Sequence, residues 1–190
     1  MPSAASVPRA LTSSPPFGLR RDTQEREGHM RKIIVSEFMT LDGVMEGPGD
    51  WGWAFRFDRG DEGHAVKSEE VTSAGALLLG RTTYEGFADA WPSRTGEFAD
   101  AMNAMPKYVV SGTLKDPKWN NTTVISLDDV AELKRRPGGD ILVNGSARLV
   151  RALARRGLVD EYRLMVYPIL LGRGRRLFEE GAPETALRLA

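Results

Sequence analysis

The chain has 190 residues, enough for one domain with a well-buried core and too few for two ordinary ones. Lys plus Arg and Asp plus Glu both number 26, so the formal net charge is zero and no bulk field draws the protein to nucleic acid or an anionic membrane. Cysteine is absent, which removes disulfides, thiol catalysis and thiolate zinc sites and suits a cytoplasmic protein.

Residues 1–29 are rich in Ser, Pro, Ala and Arg without a helical or strand period, and read as a disordered leader. Arg20 and Arg21 are followed by the charged run 22–27 where an export signal needs an apolar stretch. Met30 directly precedes the first ordered pattern and is a candidate natural start. One domain is expected over residues 30–190. No apolar run in it approaches the roughly 18 residues that span a bilayer.

Residues 32–38 predict a largely buried strand. A long glycine-bearing loop follows over 40–57, then a helix over 58–73 whose amphipathic period is weak. Residues 76–79 are a short all-apolar strand ended by Gly80 and Arg81. Helices are predicted over 82–90 and 95–105, and strands over 107–111 and 122–126. Ser126 caps a helix over 127–135, stopped by Pro137, Gly138 and Gly139. Residues 140–144 form the next strand. The helix over 147–156 buries Leu149, Val150, Leu153 and Ala154, and Gly157 supplies its left-handed terminus. Residues 162–171 read as a long apolar strand broken by Pro168. Alternating helices and continuous apolar strands predict an α/β fold with a mostly parallel central sheet covered on both faces. A ligand cleft is expected beyond the carboxyl ends of the strands.

Three junctions are placed to do chemistry there. At Gly80, Arg81, Thr82 and Thr83 a buried strand turns sharply into a helix, whose free N–H groups and partial positive charge suit a phosphate. A tight turn with a capping threonine explains the same residues equally well. Ser111, Gly112 and Thr113 end another strand and by themselves signal a turn. Asn144, Gly145, Ser146 and Ala147 repeat the strand-to-helix pattern with Arg148 in the first turn, either as a second anion seat or as ordinary capping. Two glycine-bearing junctions in one sheet favour a nucleotide. The loop carrying Asp42 and Gly43, then Trp51 and Trp53, has the composition of a lid, although such tryptophans also anchor loops. Gly172, Gly174 and Leu177 lack the third glycine of a dinucleotide fingerprint. His29 and His64 offer no metal pair.

Residues 79–85 (Leu-Gly-Arg-Thr-Thr-Tyr-Glu) resemble the glycine–arginine–threonine turn of dihydrofolate reductases. Residues 157–162, Pro168 to Gly174, Leu177 and Phe178 resemble the reductase domain of riboflavin-biosynthesis enzymes. With Leu41, Asp42 and Gly43, the chain is similar over about 31–189 to the stand-alone bacterial proteins of the dihydrofolate-reductase-like superfamily. The resemblance implies that superfamily's three-layer fold and NADPH as hydride donor to a small heterocyclic, imine or carbonyl substrate. It places Gly80, Arg81 and Thr82 on cofactor phosphates, Ser111 and Thr113 beside the adenosine 2′-phosphate, and Gly145, Ser146 and Ala147 on the pyrophosphate. Asp42 becomes the candidate catalytic residue, as a substrate-orienting group or proton source. A homodimer is a family expectation.

The departures shape the alternatives. Gly112 stands where relatives often have arginine, and Asn144-Gly145-Ser146 stands where riboflavin-pathway reductases show Glu-Gly-Gly. At the spacing of the dihydrofolate reductase carboxylate lies His64, with Asp61 and Glu62 nearby. The riboflavin-pathway reduction of 5-amino-6-(5-phosphoribosylamino)uracil and a catalytically silent nucleotide- or pterin-binding module therefore stay open. The family pattern also continues with further antiparallel strand, so the domain is expected to be truncated at its C-terminal strands.

Overall fold

The computed structural model describes residues 30–47, 52–182 and 184–189. The expected leader and Trp51 lie outside the described residues. The chain runs β1 (Ile33–Thr40), β2 (Val44–Glu46), a 3-10 turn (Gly52–Arg56), α1 (Gly60–Ser73), β3 (Ala76–Gly80), α2 (Arg81–Ala90), α3 (Glu97–Ala104), β4 (Lys107–Val110), β5 (Thr122–Ile125), α4 (Val130–Arg135), β6 (Ile141–Val143), α5 (Ala147–Arg155), β7 (Glu161–Tyr167) and β8 (Arg175–Arg176).

Strand periodicity sets the layers. Ile33, Val35, Leu78, Ile141 and Val143 pack on one face with Val130 and Leu133 of α4 and Val150 and Leu153 of α5. Their neighbours Ile34, Leu77, Leu79 and Leu142 point to the other face, against Val71 of α1, Tyr84 of α2 and Met102 of α3. Strands buried on both faces need apolar residues at every position, which is why they read as continuous apolar runs. Each fully buried Leu or Ile is worth about 1.5–3 kcal/mol.

The main sheet has six strands in the order β5-β4-β3-β6-β1-β7. All its pairings are parallel, so the expectation of a mostly parallel sheet with helices on both faces is met. From β1 the chain moves two places to β3 and then outward through β4 and β5. It returns to insert β6 between β3 and β1, and β7 joins the far side of β1. The strand order thus reverses about β6, and the carboxyl ends at such a reversal are where ligands of open α/β sheets generally bind.

Three elements differ from the sequence reading, each for a physical reason, and the weak period expected of α1 finds its cause. The 40–57 loop holds β2, which pairs antiparallel with β8, a partner about 130 residues away that no local pattern reveals. α1 has a weak period because its inward face carries Lys67 and Glu70 beside Val71, an ion pair in place of an apolar stripe. α4 begins at Val130 rather than 127. Ser126 and Asp129 exchange hydrogen bonds, Asp129 Oδ2 accepting from the Ser126 amide at 2.8 Å, and form a turn ahead of the helix. β7 stops at Tyr167 because Pro168 has no N–H to continue a ladder. The α5 terminus matches its expectation. Gly157 sits at φ +64°, and the amides of Gly157 and Leu158 close back on Ala154 and Leu153 in a Schellman motif. Among the described residues no helix is long and apolar enough to cross a membrane.

Candidate functional site

Because β4, β3 and β6 are neighbours, the three junctions at their carboxyl ends lie side by side. Gly80 forms the entry to α2, and its amide donates to Ser146 Oγ at 3.0 Å. Ser146 Oγ also lies 2.6 Å from Thr83 Oγ1, so one hydroxyl joins the openings of α2 and α5. The approach is close enough to demand glycine on both sides. A Cβ at Gly80 would meet Ser146 Oγ at 2.7 Å, and one at Gly145 would meet Thr83 Cγ2 at 2.7 Å. Gly145 has φ +70° and Ser146 φ +69°, so the chain takes two left-handed residues in succession to reach α5. Glycine accepts this freely, whereas Ser146 is held there by its two hydroxyl contacts.

The first turn of α2 contains no acidic residue and exposes Arg81 and Thr82. Arg81 pairs loosely with Glu85 at 3.4 Å, an exposed i,i+4 contact worth only a few tenths of a kcal/mol, so it can turn to an anion at little cost. At the end of β4, Ser111 Oγ accepts the amides of Thr113 and Leu114 at 3.1 and 3.0 Å, a local turn that leaves Thr113 exposed at the rim. At the opening of α5 two amides are already engaged. Gly145 donates to Glu37 Oε2 at 2.9 Å and Ala147 to Glu46 Oε1 at 3.2 Å.

The fold has counterparts among solved structures. A putative riboflavin biosynthesis protein from Shewanella sp. PV-4 superposes with a TM-score of 0.57, 20% identity, and coverage of 80% of this chain and 86% of its own. Dihydrofolate reductase from Enterococcus faecalis, solved with NADP(H), gives a TM-score of 0.54 at 15% identity, covering 78% and 77%. These neighbours establish the dihydrofolate-reductase-like fold. The family model described as the RibD C-terminal domain matches residues 31–190. The chain belongs to the RibD C-terminal domain family. Two Bacillus subtilis (strain 168) proteins are similar in sequence, both described as uncharacterised. YyaP is 32% identical, with 78% of this chain and 80% of YyaP covered, and YwjB is 30% identical, with 84% and 89% covered.

In this RibD C-terminal domain the loop after β1 is fastened by Asp42. Its Oδ1 accepts from Thr40 Oγ1 at 2.5 Å and from the Leu171 amide at 3.2 Å, and its Oδ2 accepts from the Gly172 amide at 2.8 Å. The hydrogen bond from Thr40, followed by that from Gly172, holds the carboxyl below the usual carboxylate range. An ionised group whose oxygens are so engaged has no proton to give. Asp42 thereby ties the 40–44 segment to the 169–172 segment. Replacing Asp42 with Ala should release Leu171 and Gly172, and amide hydrogen exchange at those two positions should rise by on the order of tenfold. Unchanged protection there would show that the backbone contacts Leu41 to Ile169 and Leu177 to Gly43 suffice.

Trp53 is buried, packed edge-on to Tyr167 at 5.3 Å in a cluster with Phe38 and Phe57, and so anchors the loop. His64 is exposed, 3.9 Å from Asp58, and does not reach the sheet. The groups of α1 that do reach it are Lys67 and Glu70. Glu70 Oε2 accepts from Lys67 Nζ at 2.9 Å and from Ser36 Oγ at 2.6 Å, and Lys67 also bonds Ser36. A cavity of about 110 Å³ beside Glu70 is also lined by Asp140, Ser73 and Arg163. It lies toward the amino ends of the strands and is too small for a dinucleotide.

Glu37 was the residue missed by sequence reasoning. It is buried in β1, and burial pushes its carboxyl up to about 8 although the Gly145 amide and Lys67 oppose the shift. Its Oε1 has no hydrogen-bond partner among the described residues. A signal was present, since Ser36-Glu37 interrupts an otherwise apolar buried strand and a buried charge usually has a task.

Proposed function

We propose that the protein is an NADPH-dependent reductase whose cofactor lies across the carboxyl rim of the sheet. The observation that carries this reading is the joining of the α2 and α5 openings through Gly80, Thr83 and Ser146. Two helix N-termini brought within one hydroxyl of each other form a compact anion-binding rim. The glycines at 80 and 145, where a Cβ would collide with Ser146 and Thr83, let the two openings approach closely enough to share one anion. Membership of the RibD C-terminal domain family, and the NADP(H) bound by the Enterococcus faecalis neighbour of the same fold, support the choice of cofactor.

On this reading Gly80, Arg81 and Thr82 hold phosphate through the α2 amides and the guanidinium, and Ser111 and Thr113 border the adenosine side. Gly145, Ser146 and Ala147 face the diphosphate. Bound NADPH supplies a hydride for a polarised C=N or C=O carbon. Asp42 keeps the β1–β2 loop in register with residues 169–172 and so shapes the wall beside the substrate. The anchored cluster of Trp53, Phe57 and Tyr167 excludes water from that side.

Titrating the protein with NADPH while following tryptophan fluorescence should give saturable quenching. Arg81→Ala should weaken binding by on the order of tenfold, the loss of one charge-assisted contact, with a larger effect for NADPH than for NADH. A folded protein that shows no quenching at millimolar NADPH would end this reading. Turnover of the ribosylaminopyrimidine phosphate would place the protein in riboflavin biosynthesis. NADPH binding without oxidation across pterins, pyrimidines and simple imines would mark it as a silent binding module.

A further inference from the structure

The opening of α5 is not simply available to an anion, because two carboxylates of this chain already sit in it. Glu37 Oε2 accepts the Gly145 amide and Glu46 Oε1 accepts the Ala147 amide. The two differ in their freedom to leave. Glu37 is 5% exposed, within the core of β1. Glu46 lies at the end of β2 with its side chain 37% exposed, and its other oxygen accepts from Arg175 Nε of β8 at 2.6 Å.

We propose that Glu46 is a built-in occupant of the α5 oxyanion seat, and that a ligand phosphate binds there by replacing it at the Ala147 amide. The inference rests on the cofactor reading above and deepens it, making Glu46 a determinant of cofactor affinity that the sequence motifs do not contain.

Three features support the exchange. A carboxylate is the side chain that best imitates a phosphate oxygen at a helix N-terminus, so its presence marks the seat as one that prefers an anion. Glu46 can retreat into solvent while keeping Arg175, whereas Glu37 cannot. Glu37 Oε1, without a partner among the described residues, belongs to the same carboxyl group that holds Gly145, within the same opening. A neutral Glu37 would present that oxygen as a buried O–H without an acceptor, and a phosphate oxygen is such an acceptor. The charged groups acting on Glu37 are Lys67 from α1, which favours its ionisation, and Glu46 from β2, which opposes it. A phosphate in place of Glu46 keeps a negative charge beside Glu37 and so keeps it protonated.

Calorimetric titration of the full chain with NADPH, and separately with inorganic pyrophosphate, tests the exchange. Removing the competing charge in Glu46→Gln should tighten both ligands by about tenfold. Arg175→Gln breaks the same β2–β8 ion pair but leaves the carboxylate at Ala147, and it should not tighten either. If both variants change affinity alike, the cause is loosening of the β2–β8 ribbon and the inference falls. It also falls if Glu46→Gln binds pyrophosphate no better than the parent chain. A Glu46→Gln protein that binds pyrophosphate more tightly, in a background where NADPH does not bind at all, would uphold the seat and reject the cofactor reading.

Discussion

Gly145→Ala is expected to lower stability by about 3 kcal/mol and to abolish ligand binding at the carboxyl rim. Two costs add. An L-residue at φ +70° costs about 1–2 kcal/mol, and forcing a methyl into a packed contact costs about 1–3 kcal/mol more. The contact is specific, since the new Cβ would lie 2.7 Å from Thr83 Cγ2 and 3.1 Å from Thr83 Oγ1. Relief requires Thr83 to move, and Thr83 is tied through Ser146 to Gly80. Damage at one opening therefore reaches the other. Denaturant unfolding of Gly145→Ala, of Thr83→Ser and of the pair together separates the two costs. Deleting Cγ2 while keeping the hydroxyl should recover about 1 kcal/mol in the double variant and leave the backbone cost in place. Gly112→Ala is the control, because open space surrounds that position and its φ is not left-handed. It should change stability by less than about 0.5 kcal/mol. A Gly145→Ala protein as stable as the control would show that the two junctions are not in contact.

Stability should pass through a minimum near pH 8, set by two buried groups acting in opposite directions. Burial raises the Glu37 carboxyl from 4.5 to about 8, so between those values the folded state binds more protons than the unfolded one. Stability contributed by Glu37 is present below about pH 4.5 and is lost as pH rises towards 8. Lys107 is buried at the start of β4 beneath Trp119, its Nζ 4.3 Å from the ring centroid and bonded to the carbonyls of Asn103 and Met105. Burial lowers it from 10.5 to about 8, so between 8 and 10.5 the unfolded state binds more protons and stability rises with pH. One proton on each limb limits the slope to about 1.4 kcal/mol per pH unit. Carboxylates held low, such as Asp42 and Asp129, add a separate loss under acid conditions below about pH 4. Urea unfolding across pH 5–10 measures the profile. Glu37→Gln should flatten the limb below 8 and Lys107→Met the limb above it. A falling limb that persists in Glu37→Gln would assign the titration to another group.

Both results bear on function through Glu37. A carboxyl that stays neutral at physiological pH beside the α5 opening lowers the negative charge a phosphate would meet there. Its ionisation above about pH 8 would add a repulsive charge to the seat.

Much of this was legible in the order of residues, for a common reason. Continuous apolar runs such as 76–79 and 141–143 have one stable destination, the middle of a two-sided sheet. Gly80 and Gly145 mark sharp strand-to-helix turns because other residues would strain or collide there. Those local rules, with the motif order, identified the α/β class and nominated the three junctions. The pairing of β2 with β8 was hidden because a three-residue strand and a two-residue strand have no period of their own. The ties from Asp42 to the amides of 171 and 172 were likewise hidden, because they join segments about 130 residues apart.

Local propensity and hydrophobic spacing, which act over a few residues, thus determined the main strands and helices, the layers and the sharp turns of this protein. Only the tertiary structure decided that β6 returns between β3 and β1, and with that return which charges meet at the rim. Ser146 joining Gly80 to Thr83, Glu37 holding Gly145, and Glu46 holding Ala147 are all contacts across more than 60 residues. Such contacts depend on desolvation and on distances between strands, which no stretch of sequence encodes by itself.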